Sequence, residues 1–179
     1  MIAPVLRRSA VLGGDGDRYR YELRRIWTTG RPLLVACMLN PSTADHERDD
    51  PTLLSLMHFA RLWGLGGVLV VNLFALRSPN PRDLTASADP VGSDNHSYIA
   101  AAMSLAAWQH TGLLVAWGAG GHLYDRAEWF ASRALGVHKL TLLCLGRTAD
   151  GSPKHPMARG RYRIPRDQQP IPWRVPACG

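Results

Sequence analysis

The sequence is short of cysteine and lysine and has no long apolar run, and each shortage removes a class of protein. Its three cysteines, Cys37, Cys144 and Cys178, are scattered and odd in number. They form neither a disulfide framework nor the paired spacing of a zinc or iron–sulfur site. The apolar segments fall well short of the roughly 20 residues that cross a bilayer. The start, "MIAPVLRRSAV", lacks the apolar stretch of a secretory signal, so a reducing cytoplasm is the expected compartment. No G-x-S-x-G elbow is present, and no G-x-G-x-x-G or G-x-x-x-x-G-K loop follows an apolar strand. Cys37 and Cys144 lie inside apolar runs, so neither a Ser–His–Asp nor a Cys–His set is supported.

Lysine occurs only at Lys139 and Lys154, yet Lys and Arg together number 21 against 14 acidic residues, a net charge of +7. Nearly all the positive charge is therefore guanidinium, whose planar fork suits phosphate oxygens. Two explanations stand side by side. One is a polyanionic partner, nucleic acid or a nucleotide first; the other is the codon bias of a GC-rich genome.

At 179 residues the chain suits one domain. The spacing predicts an N-terminal hairpin over about 9–27, in which Tyr19, Tyr21 and Leu23 alternate with Arg18, Arg20, Glu22 and Arg24 as in a half-exposed strand. A core over about 32–146 holds four apolar strands, at 32–39, 67–76, 112–118 and 139–146. Helices are expected from Pro51 to Gly64, at 95–109 and at about 123–135, the first with Asp50 as N-cap and Pro51 at its first position. The proline-rich tail, 147–179, is expected to lie extended over the surface. Apolar strands alternating with helices predict a three-layer α/β/α fold around a central, mainly parallel four-stranded sheet. In such sheets ligands bind beyond the carboxyl ends of the strands.

Those strand ends carry the candidate site. Asn40-Pro41 ends the first strand, and Asn40 either handles a ligand or water, or bonds its own turn. Asn72 sits within "GVLVVNLFAL", where an unpaired amide costs about 1–3 kcal/mol; it either reads a base edge or ties a neighbouring loop. His155 is pinned between Pro153 and Pro156, pre-positioned to donate to an anionic leaving group or simply solvated. Asp45, His46, Asp49 and Asp50 show no recognisable metal-ligand spacing, and neither a metal nor another cofactor is expected. Pro41, Ser42, Asp45, Phe74, Arg77, Arg82 and Trp117 complete the candidate substrate-binding set, with Arg77 and Arg82 either on phosphates or in solvent, and Trp117 either beside the ligand or in the core.

The stretches "RYRYELRRIW", "MLNPSTADHERDDPT", "VVNLFALRSPNP", "VAWG" and "CLGRTADGSPKHPM" are similar to those of an uncharacterised microbial family, the domain of unknown function 1643, over about residues 8–173. More distantly, the order of strand-end motifs resembles the uracil-DNA glycosylase superfamily. Asn40-Pro41 is similar to its G-x-N-P type motif, whose Asn or Asp handles the attacking water. Asn72 resembles the residue that reads the flipped base, and His155 in "KHPM" resembles the histidine of its terminal H-P-S motif. "RSPNPRD" resembles the R-P-P-x-N-R-D loop of the iron–sulfur members, and "LLVAWGAGG" their following strand. Met38 stands where that superfamily has glycine, Met157 where it has serine, and the four cluster cysteines are missing. The resemblance implies an N-glycosidic hydrolase acting on a nucleobase in DNA or a nucleotide, with Asn40 and His155 catalytic. Two other readings remain open: a non-catalytic module of the same fold that binds nucleic acid or a nucleotide, and a nucleotide-modifying enzyme of a phage or mobile element.

Overall fold

A computed structural model describes residues 3–177, so Cys178 lies outside the described residues. Among the described residues, seven strands join one sheet. In chain order they are β1 (Arg7–Gly13), β2 (Tyr19–Ile26), β3 (Leu33–Met38), β4 (Gly67–Asn72), β5 (Leu113–Val115), β6 (Leu142–Cys144) and β7 (Ile171–Arg174). Their spatial order is β1-β2-β4-β3-β5-β6-β7. The four apolar strands β4, β3, β5 and β6 run parallel in the centre. The expected four-stranded sheet is thus too small and too uniform: the whole sheet is mixed. The expected hairpin forms from β1 and β2, and it extends the sheet, because β2 pairs antiparallel with β4 over Leu23–Ile26. The tail does not merely lie over the surface either. Its β7 pairs antiparallel with β6 and covers what would otherwise be an open edge.

Side-chain alternation along β3 separates two cores. Leu33, Val35 and Cys37 pack with residues of α3 (Asn95–Gln109) and α4 (Arg126–Ser132), including Met103 and Phe130. Leu34, Ala36 and Met38 pack with α1 (Pro51–Leu62), including Leu53, Leu56 and Phe59. A strand that is buried on both faces reads as a continuous apolar run, which is why these strands were legible. A short α2 (Asp83–Ala86) lies in the loop after β4. No helix is long and apolar enough to cross a membrane among the described residues.

Two expectations fail for the same reason, that backbone and charge are satisfied by distant side chains. The strand predicted at 67–76 stops at Asn72, although Leu73 to Leu76 stay buried. Asn95 Nδ2 donates to the carbonyls of Asn72 and Leu73 at 3.1 Å each, and Arg126 donates Nε and Nη2 to the Leu73 carbonyl at 3.1 and 2.9 Å. Buried carbonyls leaving the sheet need such partners. Strand β2 is not half-exposed: Arg20, Glu22 and Arg25 are buried along with Tyr21 and Leu23.

Arg25 explains the aspartates that follow β3. Its side chain is fully buried, and its Nε donates to Asp49 Oδ1 at 2.7 Å. Its Nη2 donates to the carbonyls of Asp45 (2.5 Å) and Arg48 (3.2 Å). Asp49 also takes Arg8 Nη1 at 2.9 Å. Asp45 Oδ1 accepts from Glu47 N and Arg48 N, both at 2.8 Å, closing a turn. Asp50 Oδ1 accepts from Leu53 N at 2.8 Å and caps α1 as expected. Removing this buried cation leaves the Asp45 and Arg48 carbonyls without their donor and Asp49 with Arg8 alone, so Arg25→Ala is expected to lower stability by about 3–5 kcal/mol. Urea denaturation measures this, and a loss below about 1 kcal/mol would contradict the role given to Arg25.

Candidate functional site

A cavity of about 460 Å³ opens at the carboxyl ends of the central strands, on the α1 side of the sheet. Leu23, Met38, Leu53, Leu56 and Val70 give it an apolar base. Around it stand Arg20, Asn40, Ser42, Asp50, Asn72, Ser78, Trp117 and His155. The volume lies within the range of small-molecule sites, and the mixture of an apolar floor with a few polar groups is their usual composition. Of the residues singled out from sequence, Asn40, Ser42, Asn72, Trp117 and His155 meet here.

Asn72 ends β4 opposite Met38 of β3 and is 1% exposed. Neither its Nδ2 nor its Oδ1 has a hydrogen-bond partner among the described residues. The amide therefore does not tie a neighbouring loop; it stands unpaired in the wall of the cavity. Asn40 is held differently. Its Nδ2 donates to the carbonyls of Ser78 (2.8 Å) and Pro41 (3.1 Å), locking the amide plane, while no protein donor reaches its Oδ1 among the described residues. Asn40 thus bonds its own turn through nitrogen and keeps its oxygen for another partner.

His155 is fixed by the strand ends on both sides of its loop. Gly118 N donates to the Pro153 carbonyl at 3.0 Å, and Lys154 N to the Gly146 carbonyl at 2.9 Å. Gly118 has φ +70°, and a side chain there would be strained beside His155 Cβ. His155 Nδ1 accepts from Met157 N at 3.1 Å. An accepting Nδ1 places the proton of the neutral ring on Nε2, making that nitrogen a donor. Burial lowers the His155 pKa, and the Asp50 carboxylate only partly opposes this. Trp117 is 3% exposed and packs edge-to-face on Phe130 and Trp173, so it belongs to the core and borders the cavity as well.

The remaining sequence candidates do not line the cavity. Asp45 is spent on its own turn, and the backbone amides of Arg48 and Glu47 hold its carboxyl below the ordinary range. Pro41 is buried, with its carbonyl accepting from Ser78 N at 2.9 Å. Phe74 is fully buried in the other core, against Tyr124 and Arg126. Arg77 Nη1 donates to the Asp17 carbonyl at 3.1 Å, and Arg82 is exposed ahead of α2. Sequence reasoning missed Arg20, hidden in an apparent polar alternation, and Asp50, whose N-cap role concealed a second position on the cavity wall. The thiols of Cys37 and Cys144 are pushed upward by burial and do not reach the cavity. Among the described residues no three His, Cys, Asp or Glu side chains come together to hold a metal.

Fold and site define an α/β protein with a polar pocket at the carboxyl edge of its sheet. Residues 20–157 match the family described as "Protein of unknown function (DUF1643)", and the chain belongs to that family. No curated protein and no solved structure matches the chain.

An unpaired buried amide costs about 1–3 kcal/mol, so Asn72→Leu is expected to leave the melting temperature unchanged or raised. Differential scanning calorimetry checks this, and a marked drop would show that the amide stabilises the fold. His155 gives a second expectation. Its folded-state pKa lies below the ordinary value of about 6.5, so the unfolded chain takes up the proton first as pH falls. The stability of the neutral ring is complete above about 6.5 and is lost as pH drops through the folded-state value. His155→Gln should therefore flatten the acid side of the stability–pH curve; an identical slope in both proteins contradicts this.

Proposed function

We propose that the protein is a uracil-DNA glycosylase-like N-glycosidic hydrolase that recognises a nucleobase in DNA or a nucleotide. The observation that carries this reading is that Asn40, Asn72 and His155, far apart in sequence, border one cavity of about 460 Å³. A flipped base enters the cavity, and the unpaired amide of Asn72 reads its edge. Asn40 Oδ1 orients a water toward the anomeric carbon. Water adds there as the N-glycosidic bond breaks; the bonding pair leaves with the base, and the proton the water loses passes to the departing base anion directly or through solvent. His155 Nε2–H donates to that departing negative charge, which is electrostatic stabilisation by a pre-positioned neutral donor. An amide is no strong base, so rate enhancement rests on positioning and charge stabilisation.

A second depression, about 580 Å³, adjoins the first beyond Pro51 and Pro156. His58, Arg159, Arg163 and Arg166 line it and no acidic side chain does, which supports a phosphate backbone as neighbour to the base. The same groove would serve a binding module that performs no chemistry.

Incubation with single- and double-stranded DNA carrying uracil, hypoxanthine or bulkier modified bases tests the reading, with released base measured by chromatography. Release is expected, falling steeply as salt rises. His155→Ala should slow it by about 10²–10³-fold, the usual cost of one lost donor to a developing anion. Release at the wild-type rate from Asn40→Ala would remove Asn40 from its role, and no release from any substrate would leave the binding module.

A further inference from the structure

The cavity contains two ionic groups that the proposed hydrolysis does not use. Arg20, on β2, is 4% exposed, and no carboxylate lies within ion-pair distance of it among the described residues. Its Nη1 donates to the Ala44 carbonyl at 2.5 Å, its Nε is sealed without an acceptor, and Nη2 makes no protein hydrogen bond. Burial pulls its pKa down to about 10, which leaves it charged at neutral pH. Asp50 also borders the cavity; only its Oδ1 is engaged, by Leu53 N.

The two charges constrain what can bind. An anion would satisfy Arg20 and be repelled by Asp50, and a cation would meet the reverse. With His155 neutral, the cavity has no net formal charge across Arg20 and Asp50. The complement is a neutral molecule with acceptors on one edge and donors on another. Asn72 lines the same cavity, and both the donor and the acceptor of its amide are without a partner. A purine lactam with a 2-amino group carries the complementary groups: N7 and O6 accept, N1–H donates beside O6, and the amine donates last. Arginine on O6 and N7 is the commonest specific contact to guanine, and carboxylates accept from exocyclic amines. Adenine puts an amino donor where Arg20 needs an acceptor. A lone pyrimidine ring offers no N7 and fills less of the space.

We propose that the cavity selects guanine-class bases, guanine or a modified guanine, with Arg20 reading O6 and N7, Asn72 the lactam and Asp50 the 2-amino group. This deepens the nucleobase reading above and rests on it, but not on hydrolysis.

Isothermal titration of the intact protein with guanosine, inosine, adenosine and uridine at up to millimolar concentration tests it. Guanosine is expected to bind tightest, with adenosine and uridine at least about tenfold weaker, the size of one good bidentate contact. Asp50→Asn retains a good N-cap. It should lower guanosine affinity to that of inosine, which lacks the amine, and leave inosine unchanged. Arg20→Gln should weaken both lactams. Should that variant fail to fold, the wild-type ranking of guanosine over adenosine still decides the matter. Equal binding of adenosine or uridine, competition by inorganic phosphate that strengthens in Asp50→Asn, or no nucleoside binding would each overturn the proposal. Guanosine selectivity without base release from DNA would sink the hydrolase and leave this inference standing. Uracil release without guanosine preference would do the opposite.

Discussion

Arg25 is the constraint on which the site depends. A guanidinium with no exposure must find acceptors for its donors, and it finds them in the loop after β3: Asp49 and the carbonyls of Asp45 and Arg48. The loop is thereby drawn across the face of β2. Its far end is Asp50, which caps α1, so the position of the loop also sets where α1 begins. Ser42, Ala44 and Asp50 on this loop, with Thr52 and Leu53 in the first turn of α1, line the cavity. One buried cation thus holds the wall that a solvated loop of the same composition would leave open.

Within that frame the polar groups are divided by what they already hold. Asp45, Asp49 and the Asn40 nitrogen are consumed by structure. The Asn72 amide, the Asn40 oxygen, the outer nitrogen of Arg20 and the second oxygen of Asp50 are not. Buried polar groups left without partners are costly; Asn95 Oδ1 and Arg61 Nε stand so singly elsewhere, whereas Asn72 and Arg20 gather at one cavity. A count of polar residues around the cavity would not separate these two sets. A hydrogen-bond inventory does.

The groove beside the cavity extends the same logic to the surface. Arg159, Arg163 and Arg166 come from the tail that follows His155, so the segment that positions the imidazole also carries the positive charge next to it. On the proposed reading, base recognition and backbone attraction would be coupled through one stretch of chain. Three of the chain's 19 arginines are thereby placed beside the cavity.

The central strands, the capped start of α1 and the polar residues Asn40, Asn72 and His155 as candidates were legible in the sequence. Burial on both faces, capping and proline punctuation are local properties, written in neighbouring residues. The antiparallel flanks of the sheet, the end of β4 at Asn72, and the separation of Asp45 from Asp50 were not. Each depends on a partner dozens of positions away: β2 on β4, β7 on β6, Leu73 on Arg126, Arg25 on Asp49. Arg20 shows the limit most plainly. Alternation with Tyr19 and Tyr21 marks it as solvent-facing, and only the packing of the loop after β3 over β2 turns it inward. The sequence by itself determined which residues could form strands and which polar residues followed them. The tertiary structure alone decided which polar groups were spent and which were free, because a hydrogen bond between distant residues leaves no local trace.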